Sequence, residues 1–128
     1  MEEKYDKATR LFEEGVTLDL EGTEESMRAA LEKFEQARLI YQEINAQPEE
    51  ALCLEWLGNS SRSPEDKRKK LDYFAQALPL YRAIGDKNGE IGMLISMSNV
   101  YSDLGEKEQA LKCEEALSLA HPSYSKEG

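Results

Sequence analysis

One set of residues returns every forty positions along this 128-residue chain. Phe34, Gln36, Ala37, Tyr41 and Ile44 come back as Phe74, Gln76, Ala77, Tyr81 and Ile84. Glu50, Leu54 and Asn59 come back as Glu90, Leu94 and Asn99, and Leu31 returns twice, as Leu71 and Leu111. A fixed period of this size is the signature of a repeat array. Each unit of an array is too small to bury its own apolar face, so units stack and leave an elongated surface for partners. The period points to a binding module and names no ligand.

No segment alternates as a strand does, and apolar residues recur at helical spacing, so the predicted class is all-α. Six helices are expected. The first spans about 3–20, with Ala8, Leu11, Phe12, Gly15 and Val16 on one face, and Gly22 stops it. Thr23 opens the second, which runs to about 44, because Thr-Glu-Glu-Ser places polar side chains beside the free amides. Pro48 sits in the first turn of the third helix, where its missing N–H costs little, and that helix ends near 61. Ser63-Pro64-Glu65-Asp66 reads as the start of the fourth: a capping hydroxyl, a proline, then two acids at the positive end of the dipole. That helix should reach about 84, with Pro79 bending or loosening one turn. Residues 85–89 form a turn into a fifth helix over about 88–104. Gly105 separates it from a sixth over about 107–120, His121-Pro122 ends that helix, and 123–128 reads as a frayed tail.

Short connections make neighbouring helices antiparallel. Three hairpins, at about 3–45, 48–84 and 88–122, are therefore expected to stack into a short α-α superhelix. Gly15, Gly58 and Ser98 put a small residue in the first helix of each hairpin. A glycine inside a helix costs about 1 kcal/mol relative to alanine, which close approach of the second helix would justify. Phe34 and Phe74, with Ala37 and Ala77, are placed to fill that gap.

These residues resemble the tetratricopeptide repeat, whose pattern is Trp-x2-Leu-Gly-x2-Tyr, then Ala-x3-Phe, then Pro. The second unit reads Leu54-x2-Leu57-Gly58-x2-Ser61, then Lys70-x3-Phe74. The third reads Leu94-x2-Met97-Ser98-x2-Tyr101, then Ala110, with Glu114 where phenylalanine is expected. The first reads Leu11-x2-Glu14-Gly15-x2-Leu18, then Ala30-x3-Phe34. Each unit departs from the pattern somewhere, yet all share one register. The stretches 77–86 (ALPLYRAIGD) and 99–107 (NVYSDLGEK) are similar to the long repeats of bacterial arrays that accompany a caspase-like CHAT peptidase domain. No peptidase domain fits in this chain, so the resemblance implies the scaffold and no catalytic role.

What the resemblance implies for a site is a concave groove lined by the first helix of each hairpin. The matching positions are Thr9, Phe12, Val16 and Asp19, then Leu52, Glu55, Asn59 and Arg62, then Gly92, Ile95, Asn99 and Ser102. Asn59 and Asn99 could hold a peptide backbone through their amides, or bond across helices instead. Some family members clamp a chaperone's terminal carboxylate with lysine, arginine and asparagine. Here the matching basic positions hold Phe12, Glu55 and Gly92, so that clamp is not expected. Trp56 reads either as a binding anchor or as packing in a seam between helices.

Charge narrows the partners further. A formal net charge of -10 disfavours nucleic acid and anionic membranes, both of which need a positive surface. The one basic run, Lys67-Arg68-Lys69-Lys70, reads as a solvated face or as a site for an acidic partner. No apolar run approaches a membrane span, and the opening MEEKYDKATR carries no signal-peptide stretch. The expected compartment is the cytoplasm. Cys53 and Cys113 lie in helical patterns and read as buried reduced thiols. With one histidine and no Cys-x-x-Cys, neither a metal nor another cofactor is expected. No phosphate loop, nucleophile elbow or paired-histidine motif occurs, so the chain is not expected to be an enzyme. The expected function is a non-catalytic adaptor for a protein or peptide segment. The alternative is a homo-oligomer built through array ends or swapped helices.

Overall fold

The computed structural model describes residues 2–120, and these form six α-helices. They are α1 (Glu2–Glu21), α2 (Glu24–Glu43), α3 (Gln47–Ser60), α4 (Lys67–Ala83), α5 (Lys87–Asp103) and α6 (Lys107–Ala120). Each helix packs against the next in sequence, so α1–α2, α3–α4 and α5–α6 are antiparallel hairpins stacked as an all-α superhelix. The expected helix stop at His121-Pro122 and the tail at 123–128 lie outside the described residues.

The turns show how local sequence sets this order. Three helices end on one device. The Tyr41, Tyr81 and Tyr101 carbonyls accept N–H bonds from Ala46, Asp86 and Glu106 at 2.8, 2.9 and 2.9 Å. Inside each of these, Asn45, Gly85 and Gly105 bond back to Gln42, Arg82 and Ser102 at 3.2, 3.2 and 3.0 Å. This paired pattern is the Schellman motif, which satisfies carbonyls that the helix leaves orphaned. It needs a left-handed residue, supplied by Gly85 and Gly105 at φ 72° and 76°, and by Asn45 at φ 59°. The written form is therefore Tyr, two residues, Ile or Leu, then Gly or Asn. Asp86 then serves the following helix, its carboxylate accepting the Gly89 N–H at 2.9 Å. At α2 the expected cap forms fully: Thr23 and Ser26 exchange side-chain and backbone hydrogen bonds, each at 3.0 Å.

One expectation about α4 needs correction. Ser63 does not cap the helix; its hydroxyl donates to the Glu65 carboxylate at 2.5 Å. Pro64–Asp66 instead forms a 3-10 turn closed by Asp66 N–H to the Ser63 carbonyl at 2.9 Å, and α4 begins at Lys67. Pro79 lies inside α4, as expected, and the helix runs from Lys67 to Ala83. Pro79 and Ala75, whose carbonyl loses its helical partner, are both exposed, so water reaches the orphaned group.

Close packing inside the hairpins follows the small residues. A Cβ on Gly15 would lie 2.7 Å from Phe34 Cε1, and one on Gly58 would lie 2.5 Å from Phe74 Cε1. Both rings are fully buried, which contributes about 1.5–3 kcal/mol each. A third close approach was not anticipated: a Cβ on Gly89 would lie 2.3 Å from Tyr81 Cδ1. The larger apolar cluster runs from Ala30 and Phe34 through Leu57, Phe74 and Leu94 to Leu117. A smaller one, Ala8, Leu11, Ala37, Tyr41 and Cys53, ties the first hairpin to α3. Both cysteines are free and buried. Burial pushes the Cys53 thiol up to about 12 and raises that of Cys113.

Matched positions need not have matched chemistry. Glu50 and Glu90 are both buried, at matching positions near the starts of α3 and α5. Glu90 receives Arg82 Nε at 2.9 Å and Lys87 Nζ at 3.3 Å, and the Arg82 hydrogen bond is the main cause of its lowered pKa. Forty residues earlier the same partners are Gln42 and Gln47. Burial then dominates and raises the pKa of Glu50, with only Arg38 opposing it.

Candidate interaction face

Spacing of three and four residues places Leu52, Glu55 and Asn59 on one side of α3, and Gly92, Ile95 and Asn99 on the matching side of α5. Leu52 is 40% exposed. Asn59, Arg62, Asn99 and Ser102 are exposed, while Glu55, Trp56, Gly92 and Ile95 are half-buried. Among the described residues no hydrogen bond engages the Asn59 or Asn99 side chain.

The α1 positions are more deeply committed to the fold. Thr9, Phe12 and Val16 are half-buried. Phe12 and Val16 pack against the larger core, and Thr9 shares a 2.8 Å hydroxyl bond with Tyr41. Asp19 is not a surface residue. Its carboxylate accepts Ser60 Oγ at 2.9 Å and pairs with Arg62 Nη2 at 3.0 Å. This bond pair pins the end of α1 to the end of α3 and the connection after it. Its partners lie 41 and 43 positions away, a separation that periodicity of forty does not announce.

Trp56 belongs to a seam. Its ring centroid lies 5.9 Å from Phe12 in an edge-on arrangement and 5.5 Å from Phe34. Phe12 and Phe34 are 5.6 Å apart, which closes an aromatic triangle over α1, α2 and α3. Glu55 is tied back to its own hairpin, accepting the Tyr81 hydroxyl at 2.5 Å. Burial, and then this bond, raise the pKa of the Tyr81 phenol.

Gly92 stands apart from the other helical glycines. Where Gly15, Gly58 and Gly89 each meet an aromatic ring, a Cβ on Gly92 would meet nothing within 4 Å, and its backbone is ordinary helix. No packing within the described residues requires a glycine there.

The two ends of the stack differ. The Gly15–Gly58 correspondence sets Arg10, Glu13 and Thr17 of α1 against Cys53, Trp56 and Ser60 of α3. A shallow depression of about 440 Å³ on that side of α1 is lined by Arg10, Glu13, Glu14, Thr17 and Leu18. The first end is thus polar. At the other end, Leu111 is 52% exposed although its counterpart Leu71 is only 6% exposed, and Leu119 is 88% exposed. Hairpin α5–α6 follows α4, whereas no described helix follows α6.

A second cleft, of about 300 Å³, opens between the start of α2 and the α3–α4 connection, beside Met27, Arg28, Arg62 and Asp66. The basic run at the start of α4 is partly engaged, Arg68 pairing with Glu106 across to the α5–α6 turn. Among the described residues, no group of three or more His, Cys, Asp or Glu side chains is arranged to hold a metal ion. No described helix is long and apolar enough to cross a membrane. No protein-family model matches the chain, and no curated protein matches it.

Proposed function

We propose that this chain is a non-catalytic interaction module of the tetratricopeptide type, which binds an extended protein or peptide segment along the α1–α3–α5 face. The observation that carries the reading is the asparagine pair. Asn59 and Asn99 occupy the same register on α3 and α5, both are exposed, and neither amide is engaged within the described residues. Asparagine is a poor helix former, so two of them in helices at a forty-residue spacing serve something other than helix stability. A side-chain amide supplies one acceptor and two donors, which matches the peptide group of an extended backbone. Leu52 and Ile95 beside them offer apolar contact area.

The test is selection from a displayed random peptide library on the immobilised chain. Enrichment that disappears for Asn59→Ala with Asn99→Ala, at unchanged helicity, supports the reading. No enrichment, or enrichment that the double variant keeps, overturns it.

A second reading, self-association through the last hairpin, is favoured by the exposure of Leu111 and Leu119. Sedimentation velocity separates the two. Self-association predicts a dimer that Leu111→Asp dissociates, whereas the peptide-binding reading predicts a monomer.

A further inference from the structure

Every glycine of the described residues except one has a reason within the chain. Gly22, Gly85 and Gly105 sit at positive φ in turns. Gly15, Gly58 and Gly89 leave room for aromatic rings. Gly92 lies inside α5, makes no turn, and would have open space around a Cβ. Its missing side chain leaves a notch on the face that carries Ile95 and Asn99, one and two turns further along the same helix. The matched position on α3 holds the exposed Leu52, so the notch belongs to α5 alone.

Two carboxylates flank this strip. Glu55 lies on α3 and Asp103 at the end of α5, and the chain carries a formal -10. Arg62, the cation among the matched face positions, is paired with Asp19 at 3.0 Å. A cationic segment is therefore steered to this face, and an acidic one is repelled.

Resting on the peptide-binding reading above, we propose that the partner is a basic peptide segment that seats a large apolar side chain in the notch over Gly92. The side chain packs against Ile95, its backbone is held by the asparagines, and its flanking lysine or arginine residues answer Glu55 and Asp103. A glycine here serves binding by being absent: any side chain on α5 at this point would occupy the seat.

The inference is tested with the peptides enriched from the random library, resynthesised and titrated by fluorescence anisotropy against the full chain. The enriched set should be net positive and should carry Leu, Phe or Trp. Gly92→Leu should weaken these peptides by about tenfold or more, because it fills the seat. Gly92→Ala should raise the melting temperature by up to about 4 °C, because a better helix former is added with nothing in its way. Affinity should fall as salt rises from about 50 to about 500 mM.

A lowered melting temperature for Gly92→Ala would give the glycine a role inside the fold and overturn the inference without any peptide. Enriched peptides that are acidic, or that lack a large apolar residue, overturn it as well. If Gly92→Leu binds within about twofold of the parent while the asparagine double variant loses binding, this inference fails and the peptide-binding reading stands. If no peptide is enriched, or the asparagine pair is irrelevant, the reading itself fails and the inference falls with it.

Discussion

Gly58→Ala and Gly92→Ala are the same chemical change in two helices of one protein, and they should move stability in opposite directions. Replacing a helical glycine by alanine gains at most about 1 kcal/mol of helix propensity. At Gly92 nothing lies within 4 Å of the added methyl, so that gain is realised in full. At Gly58 the methyl meets Phe74 Cε1, Cδ1 and Cζ at 2.5, 2.8 and 2.9 Å. Three ring carbons are involved and the ring is 1% exposed, so it has no solvent side to swing into. Overpacking a closed site costs about 1–3 kcal/mol, and the upper half of that range applies here. The net loss for Gly58→Ala is then about 1–2 kcal/mol. The unfolding entropy, about 2.1 cal/mol/K per residue over 128 residues, converts 1 kcal/mol into about 4 °C. The two variants should melt about 8–12 °C apart, on either side of the parent. Circular dichroism melts and urea titrations with an unchanged slope measure this. Adding Phe74→Leu to Gly58→Ala should recover part of the loss, with a coupling of about 1 kcal/mol or more. A Gly58→Ala chain that melts at or above the parent, or a cycle with no coupling, would refute the close-approach reasoning.

Three further outcomes are expected. Glu90, whose pKa is lowered by Arg82 and Lys87, contributes stability above the ordinary carboxylate value of 4.5 and loses it as pH falls through its folded value. Glu50, raised by burial, acts with the opposite sign, opposing folding as pH climbs from 4.5 through its folded value. Urea titrations across acid and neutral pH should therefore show Glu90→Gln weakening the acid-side loss and Glu50→Gln raising stability at neutral pH. Asp19→Ala should cost about 1–3 kcal/mol by leaving the buried Ser60 hydroxyl without its acceptor, and Ser60→Ala in that background should restore part of it. Cys53, fully buried with its thiol pushed up to about 12, should resist Ellman's reagent until the chain unfolds; reaction of both thiols within minutes in native buffer would contradict the packing described.

The helices, their order and most of their ends were legible in the sequence, because each is set by local chemistry. The forty-residue period, the Thr23 cap, the left-handed residue after Ile84 and the glycine opposite Phe74 act within one or two turns or through a simple repeat. Where local signals misled, a neighbour decided. Ser63 reads as a cap, but Glu65 takes its hydroxyl. The candidate face was legible only as a set of register positions. Sequence alone does not distinguish Asp19, closed off by Ser60 and Arg62, from Asn59, left open to solvent, because that depends on which side chain from the next hairpin arrives. Gly58 reads as a close approach to Phe74 because the repeat register marks it, whereas nothing in the register marks Gly89 as a third such position. The sequence by itself determined a stack of helical hairpins. Only the packed structure decided that Gly89 faces the Tyr81 ring and that Gly92 faces open space, because that is a fact about distances between segments the local chain does not encode.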